Sequence, residues 1–281
     1  VLMPLYANPN TPTVVNGTAT FNGLGSHNLT VTNSPNAIIN WQKFGINANE
    51  VTKFIQQSGN SAVLNRVIGQ DPSKIFGQLQ SNGRVYVINQ NGLLIGPNAV
   101  IDTAGFIGST LNITDQDFLN GNLHFEGLNN QAEILNQGFI HTTGNGEVVL
   151  IAPNIKNEGV IQTEGGSITL ASGQSMTLTS LSDPNINFEV QAPDNKVVNL
   201  GELLTGGGSA SIFAHTIEHA GIINANQISR NAAGNIVLGA VQDISISENA
   251  LITSNGEQGG EITVQAQQGD SIVRGTVEAI G

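Results

Sequence analysis

From about residue 130 onward the apolar positions recur at every second residue in short bursts, each opened by a glycine. Five bursts share one form: Gly, apolar at +2 and +4, then a small residue at +6. They are Gly146-Val148-Leu150-Ala152, Gly166-Ile168-Leu170-Ser172, Gly208-Ala210-Ile212-Ala214, Gly234-Ile236-Leu238-Ala240 and Gly260-Ile262-Val264-Ala266. A period of two places those side chains on one face of a strand. The opening glycines lie 20, 42, 26 and 26 residues apart, and the interval of 42 reads as two turns of the repeat. A second form falls between the bursts, running from Ile155 to Ile161 and from Ile217 to Ile223, and Asn136-Gln137-Gly138-Phe139-Ile140 belongs with it. Two short strands per turn, Gly or Asn at the corners and a period near 20 describe a solenoid. No stretch keeps apolar residues at i, i+3, i+4, i+7, and glycine is too frequent for a helical repeat. The pattern therefore predicts an all-β chain wound as a parallel β-helix. Roughly 12 coils at about 4.8 Å each would make a rod about 60 Å long. Asn at repeated corners tolerates left-handed backbone and hydrogen-bonds along the stack.

Two stretches break the rhythm. Asp115 to Gly127 carries Phe118, Leu123 and Phe125; Leu181 to Asn195 alternates Ile186, Phe188, Val190 and Ala192 between Pro184 and Pro193. Both are expected to be hairpins held outside the coil, at about 115–127 and 181–195. Strand-like residues between Gly17 and Val31 (Ala19, Phe21, Leu29, Val31) predict a β cap over about 8–35. Such a cap covers an open end that would otherwise invite aggregation. Residues 1–7, VLMPLYA, read either as the remnant of a secretory signal cleaved before Asn8 or as an ordinary terminus. Glu278-Ala279-Ile280-Gly281 stops in mid-rhythm with no polar cap. Residues 8–281 are thus expected to be one β-helical domain at the front of a longer protein.

Composition narrows the function classes. Only 11% of residues are charged, against about 25% in an average domain. The nine Lys and Arg are scattered in a chain of net charge −12. That argues against nucleic acid and anionic membrane surfaces, which need clustered cations. The absence of Cys excludes disulfides and thiolate metal sites. About 35 residues are Asn, an excess that repeated corners account for. The acidic pairs Asp115/Asp117 and Asp183/Glu189 have no cation beside them in sequence, and they read as solvated turns rather than a hydrolytic site. His215 and His219 would lie about 13 Å apart on a strand, too far to share a metal; His219 falls at the corner that Asn157 fills. No nucleophile elbow or phosphate loop is present. No enzyme activity, cofactor or metal is expected. Arg66, a lone cation in the run Val63-Leu64-Asn65-Arg66-Val67, is expected to hold a loop carbonyl or a carboxylate such as Asp71, or else to meet a partner. Trp41, the single Trp, is expected under the cap.

One region is more specific than periodicity. It runs Asn36-Ala37-Ile38-Ile39-Asn40-Trp41-Gln42-Lys43-Phe44, then Asn60-Ser61-Ala62-Val63-Leu64-Asn65-Arg66-Val67, then Asp71-Pro72-Ser73-Lys74-Ile75-Phe76-Gly77-Gln78-Leu79. It continues through Asn82-Gly83-Arg84-Val85-Tyr86-Val87-Ile88-Asn89-Gln90-Asn91-Gly92 and Gly96, and closes with Phe106-Ile107-Gly108-Ser109-Thr110-Leu111-Asn112-Ile113. These motifs resemble the secretion domain of two-partner-secretion exoproteins, the filamentous haemagglutinin family, and are most similar to its high-molecular-weight adhesin branch. The resemblance covers almost the whole chain and includes Ala192-Pro193 and Val198-Asn199-Leu200-Gly201.

The resemblance implies a right-handed parallel β-helix at the front of a large adhesin of a Gram-negative bacterium. Such a domain is exported to the periplasm and engages the periplasmic POTRA domains of an outer-membrane β-barrel transporter of the TpsB type. It then passes to the cell surface or medium, where it starts the folding of the rest. The family hallmark Asn-Pro-Asn-Gly stands here as Asn89-Gln90-Asn91-Gly92, and the Asn-Pro-Asn-Leu of some members is replaced by Asn60-Ser61-Ala62-Val63. The candidates for transporter recognition are Asn65, Arg66, Asn89, Gln90, Asn91 and Gly92, with strand addition at early-coil edges as the expected mode. The chain is expected to be monomeric, and the full-length protein to meet a host cell surface or glycan. The alternative reading is a host-receptor or glycan-binding module whose polar groove lies beside the two inserts. A Cys-free solenoid suits this route, because the periplasm oxidises thiols and each coil needs only its neighbour to fold.

Overall fold

The computed structural model describes residues 7–183, 185–228 and 232–281. The suggested signal remnant, apart from Ala7, and Pro184 lie outside the described residues. The chain winds through three long sheets of ten, eight and eleven strands. Each coil contributes one strand to each sheet, as Val148–Ala152, Asn154–Asn157 and Val160–Thr163 do in succession before the path returns at Ile168–Ser172. The coil is thus a triangle of three strands rather than two. The second repeat form is where two of those strands meet: Ile155 and Ile161 lie on successive faces of one coil.

The ten-stranded sheet opens with Asn10–Asn16, which runs antiparallel to Ala37–Lys43; the remaining nine strands pair in parallel, down to Ile262–Ala266. Nine coils stand where the repeat arithmetic suggested about 12. One reason is the interval of 42. Ile168–Ser172 pairs directly with Ala210–Ala214, with Ile168 opposite Ala210, so the interval is a single coil with a long excursion. Asn10–Asn16 caps one sheet. Ala19–Asn22, antiparallel to Asn28–Asn33, caps another.

Inward-facing residues from all three sheets build one continuous aliphatic core, including Val63, Val85, Phe106, Val148, Leu170, Ile212 and Leu238. Trp41 is fully buried at the cap end, edge-on to Phe21 and Phe44 with centroids 5.5 and 6.0 Å away. Outward residues of the ten-stranded sheet are buried as well. Ile38, Leu64, Tyr86, Ile107, Val149 and Ile151 form a second apolar cluster with Phe118, Phe125, Met176 and Leu178. Those partners come from the two excursions, which meet in one three-stranded antiparallel sheet: Leu123–Glu126, Ser175–Leu178 and Ile186–Val190. The excursion at 115–127 is therefore a helix, Asp115–Asn120, followed by one strand, and not a hairpin. The hairpin is the other one, and it begins at Ser175.

Corners repeat along the stack. Asn136, Asn157 and Asn199 are buried in register, and each amide donates to the next Asn Oδ1 at 2.8 Å. His219 takes the next rung, its Nδ1 3.1 Å from Asn199 Nδ2. Two residues past each rung stands a glycine. A Cβ on Gly201 would collide with the carbonyl oxygen of Gly159 in the preceding coil. The ladder residues do not use left-handed backbone; among the described Asn residues that conformation is confined to Asn36, Asn129 and Asn145.

Candidate functional site

The strand Arg84–Ile88 ends in a tight turn over Asn89, Gln90, Asn91 and Gly92. Asn89 is buried, and its side chain organises the turn from within. Its Oδ1 accepts the Asn91 backbone N–H at 2.9 Å, and its Nδ2 donates to the Asp71 carbonyl and to Ser73 Oγ, both at 3.0 Å. The Gly92 N–H closes the turn on the Asn89 carbonyl at 3.1 Å, with φ +124°, a value that favours glycine. Asn91 is exposed and donates to the Gly69 carbonyl at 2.9 Å. Gln90 is exposed at the tip, and its carbonyl accepts from Asn130 Nδ2 at 3.2 Å.

Arg66 rises from the neighbouring strand, Ala62–Val67. Its guanidinium is spent on four acceptors: Asn112 Oδ1 at 3.0 Å, Asn40 Oδ1 at 3.4 Å, Asp115 Oδ1 at 2.6 Å and the Ile113 carbonyl at 2.6 Å. A planar fork with several fixed donors suits this task. The expected kinds of partner, a loop carbonyl and a carboxylate, are both present, but the carboxylate is Asp115. Asp71 instead pairs with Lys43 at 2.8 Å, each more than 60% exposed, and that proximity holds the Asp71 carboxyl below its usual range. A pair so exposed contributes little to stability.

Arg66, Ile68, Gly69, Gln90, Asn91 and Asn112 line a single surface groove of about 350 Å³. Four of the six expected site residues therefore belong to this place: Arg66, Gln90 and Asn91 on its walls and Asn89 beneath. Gly92 shapes the turn. Asn65 faces the core, accepting from Trp41 Nε1 at 2.9 Å and donating to the Tyr86 carbonyl at 3.1 Å, and it lines no part of the groove. Sequence reading missed Ile68 and Asn112; exposed Ile68 directly follows an apolar run, the one hint available. A larger cavity of about 590 Å³, bordered by Lys43, Phe44, Lys74 and Phe76, contains none of the expected residues.

Strand addition finds little purchase here. In the ten-stranded sheet the early strands are paired on both sides, from the cap strand onward. At the start of the eight-stranded sheet, Ile46 bridges to Ile75. The open edges at this end are those of the cap strands themselves.

The other candidate chemistry is absorbed structurally. Asp117 joins Thr114 in capping the helix Asp115–Asn120: Thr114 Oγ1 accepts the Asp117 N–H at 3.0 Å and donates to its carboxylate at 2.7 Å. Glu189 accepts from Thr177 Oγ1 at 3.0 Å and from Ser175 Oγ at 3.3 Å. His219 is a rung of the internal ladder. Among the described residues no group of three His, Cys, Asp or Glu side chains is placed to hold a metal ion. The groove offers amides, one neutralised cation and aliphatic carbon, which is the chemistry of binding.

The family model of the TPS secretion domain, where TPS denotes two-partner secretion, matches residues 6–264. The chain belongs to that family. The crystal structure of the HMW1 secretion domain from Haemophilus influenzae superposes with a TM-score of 0.88 at 34% identity, covering 96% of this chain and 84% of that one. The heme/hemopexin-binding protein of H. influenzae is 31% identical over 234 residues, 80% of this chain and 24% of that protein. A second heme/hemopexin-binding protein of H. influenzae is 25% identical over 307 residues, 94% of this chain and 33% of that protein. The chain thus spans about a quarter to a third of these curated relatives. A TPS secretion domain is not an enzyme, and it belongs to a protein exported to the surface or surroundings of a Gram-negative cell.

Proposed function

We propose that this TPS domain is recognised in the periplasm by its partner outer-membrane β-barrel transporter, and that the groove between Arg66 and the Asn89–Gly92 turn is where recognition occurs. The convergence of Arg66, Gln90 and Asn91 on one groove carries the reading, because 24 residues of chain separate the first from the second. Exposed polar residues held rigidly on a loop by a buried scaffold are the usual makings of a binding surface. Asn89 and Gly92 act by fixing the turn, Arg66 by fixing the wall. Asn65 supports Trp41 from inside. After passage, the capped first coils would serve as the template on which later coils fold, each contacting only its neighbour.

The test is Asn91→Ala. Its amide donates to the Gly69 carbonyl at 2.9 Å and to Asn89 Oδ1 at 3.1 Å, while the Asn91 backbone N–H and the bonds of Asn89 to Asp71 and Ser73 remain in the variant. Transporter-dependent secretion is expected to fall several-fold while thermal unfolding of the purified domain stays within about 1 kcal/mol of wild type. Undiminished secretion, or a domain that no longer folds, would contradict a recognition role for the turn.

A further inference from the structure

The groove has a feature that its sequence motifs do not announce. Most exposed aliphatic side chains on a protein are scattered singly and need no explanation. Here two large ones flank the same turn. Ile68 lines the groove and is 50% exposed. Leu128 is 54% exposed at the tip of a second turn, Gly127 to Asn130, closed by the Asn130 N–H on the Gly127 carbonyl at 3.0 Å. That second turn is fixed to the first, since Asn130 Nδ2 donates both to the Gln90 carbonyl at 3.2 Å and to the Thr110 carbonyl at 2.8 Å. Asn129 N–H also reaches Gln174 Oε1 at 3.3 Å, tying the turn to the extra-helical hairpin. Both aliphatic groups therefore stand on immobilised backbone: Ile68 N–H donates to the Trp41 carbonyl at 2.8 Å, and the Leu128 turn is tied to the Gln90 carbonyl.

The lining of the groove is poor in charge although the chain carries −12 overall, and half-buried Asp115 and exposed Glu126 stand at its margin without lining it. Arg66 is the one charged residue lining the groove, and it is held against Asp115 at 2.6 Å with only 16% of its side chain exposed. The remaining lining is amide or aliphatic. Glu126 pairs with Asn112 through its backbone and does not line the groove. The nearby Lys43 and Asp71 neutralise each other.

Resting on the transporter reading above, we infer that the domain docks through an uncharged patch in which Ile68 and Leu128 are the apolar anchors, Gln90 and Asn91 supply hydrogen bonds between them, and the partner's periplasmic surface is correspondingly aliphatic and uncharged. The groove itself is built by the β-helix, and Leu128 joins it from the return of the extra-helical insert. Arg66 and Asp115 are positioning residues: they clamp the departing end of the insert, as Asn130 clamps its return. A few side chains that become fully desolvated at the centre of an interface, ringed by contacts that exclude water, carry most of its binding energy.

The experiment uses the whole chain and the purified periplasmic domains of a transporter shown to secrete it. Affinity is measured from about 0.05 to about 0.5 M NaCl, a range over which exposed charge pairs are progressively screened. The dissociation constant is expected to change less than about threefold. Ile68→Asp and Leu128→Asp are each expected to weaken binding by about tenfold or more, while Ile68→Leu restores it and the thermal unfolding of all variants matches wild type. An affinity that falls tenfold with salt, or Asp variants that bind as wild type does, would overturn the uncharged-anchor account and leave transporter recognition standing. Absence of binding by the wild-type chain in every buffer would remove the transporter reading and this inference together.

Discussion

At the turn from Asn89 to Gly92 the backbone closes without the proline that the family motif places second. Asn89 does the work instead, with one side chain accepting from Asn91 and donating to Asp71 and Ser73. Position i+1 of such a turn accepts proline readily, and no hydrogen bond of the turn runs through the Gln90 N–H. Gln90→Pro is therefore expected to stabilise the domain by about 0.5 kcal/mol, by restricting the unfolded chain, and to raise its melting temperature by roughly 1–2 °C. Thermal unfolding checks this, and a fall in melting temperature would show that the turn needs Gln90's backbone freedom. The residue types were legible here. Trp41 is expected under the cap, and Arg66 is expected to hold a loop carbonyl or a carboxylate, or else to meet a partner. The identity of the carboxylate was not legible, because Asp115 lies 49 residues away and is brought to Arg66 only by the excursion of the insert.

Among elements, the internal ladder of Asn136, Asn157 and Asn199 ends in His219, which has the least comfortable environment. Burial pushes the imidazole down to about 4. No charged side chain acts on it; the backbone at Leu251 and Asn199 offsets the burial only in part. In the unfolded chain the same group titrates near 6.5. The folded state thus binds fewer protons, so stability is full above about pH 6.5 and is lost as pH falls from there towards about 4. The loss reaches roughly 3 kcal/mol. His219→Asn, which continues the ladder chemistry, is expected to remove most of that dependence. Denaturant unfolding at pH 7 and pH 4.5 decides it: an equal acid loss in the variant would place the sensitivity elsewhere. The strand elements were readable from period two, and the Asn corners from their recurrence. Two elements differ from what the period-two pattern predicts. Val148–Ala152 is an unbroken apolar run, VVLIA, buried on both faces, yet only alternate residues were assigned to a core. Thr114 and Gly121 flank Asp115–Asn120 as helix caps, a local signal that the surrounding strand rhythm overrode.

For the whole molecule, repetition made the fold class accessible and concealed its dimensions. A β-helix was implied because each burst of alternating residues needed a neighbour to bury its face, and nine stacked strands provide those neighbours. Part of the excess in the coil count arose at one interval, where 42 residues hold a hairpin rather than a second turn. Periodicity cannot separate the two, since an excursion also alternates. The same excursions settle into one sheet that covers the outer face of the early coils. The site was half-visible in the sequence: the turn and Arg66 were marked by motif, whereas Ile68 carried no motif, Asn112 reaches Arg66 across 46 residues, and the Leu128 turn is tied on only through Asn130. On the proposed function, the molecule as a whole passes one outer membrane and begins folding beyond it. The direct measurement is secretion of this chain, given a signal peptide, from a Gram-negative host with and without its transporter. The account predicts folded chain in the medium only when the transporter is present. Chain retained in the periplasm in both hosts, where the same transporter exports the full-length protein, would contradict it.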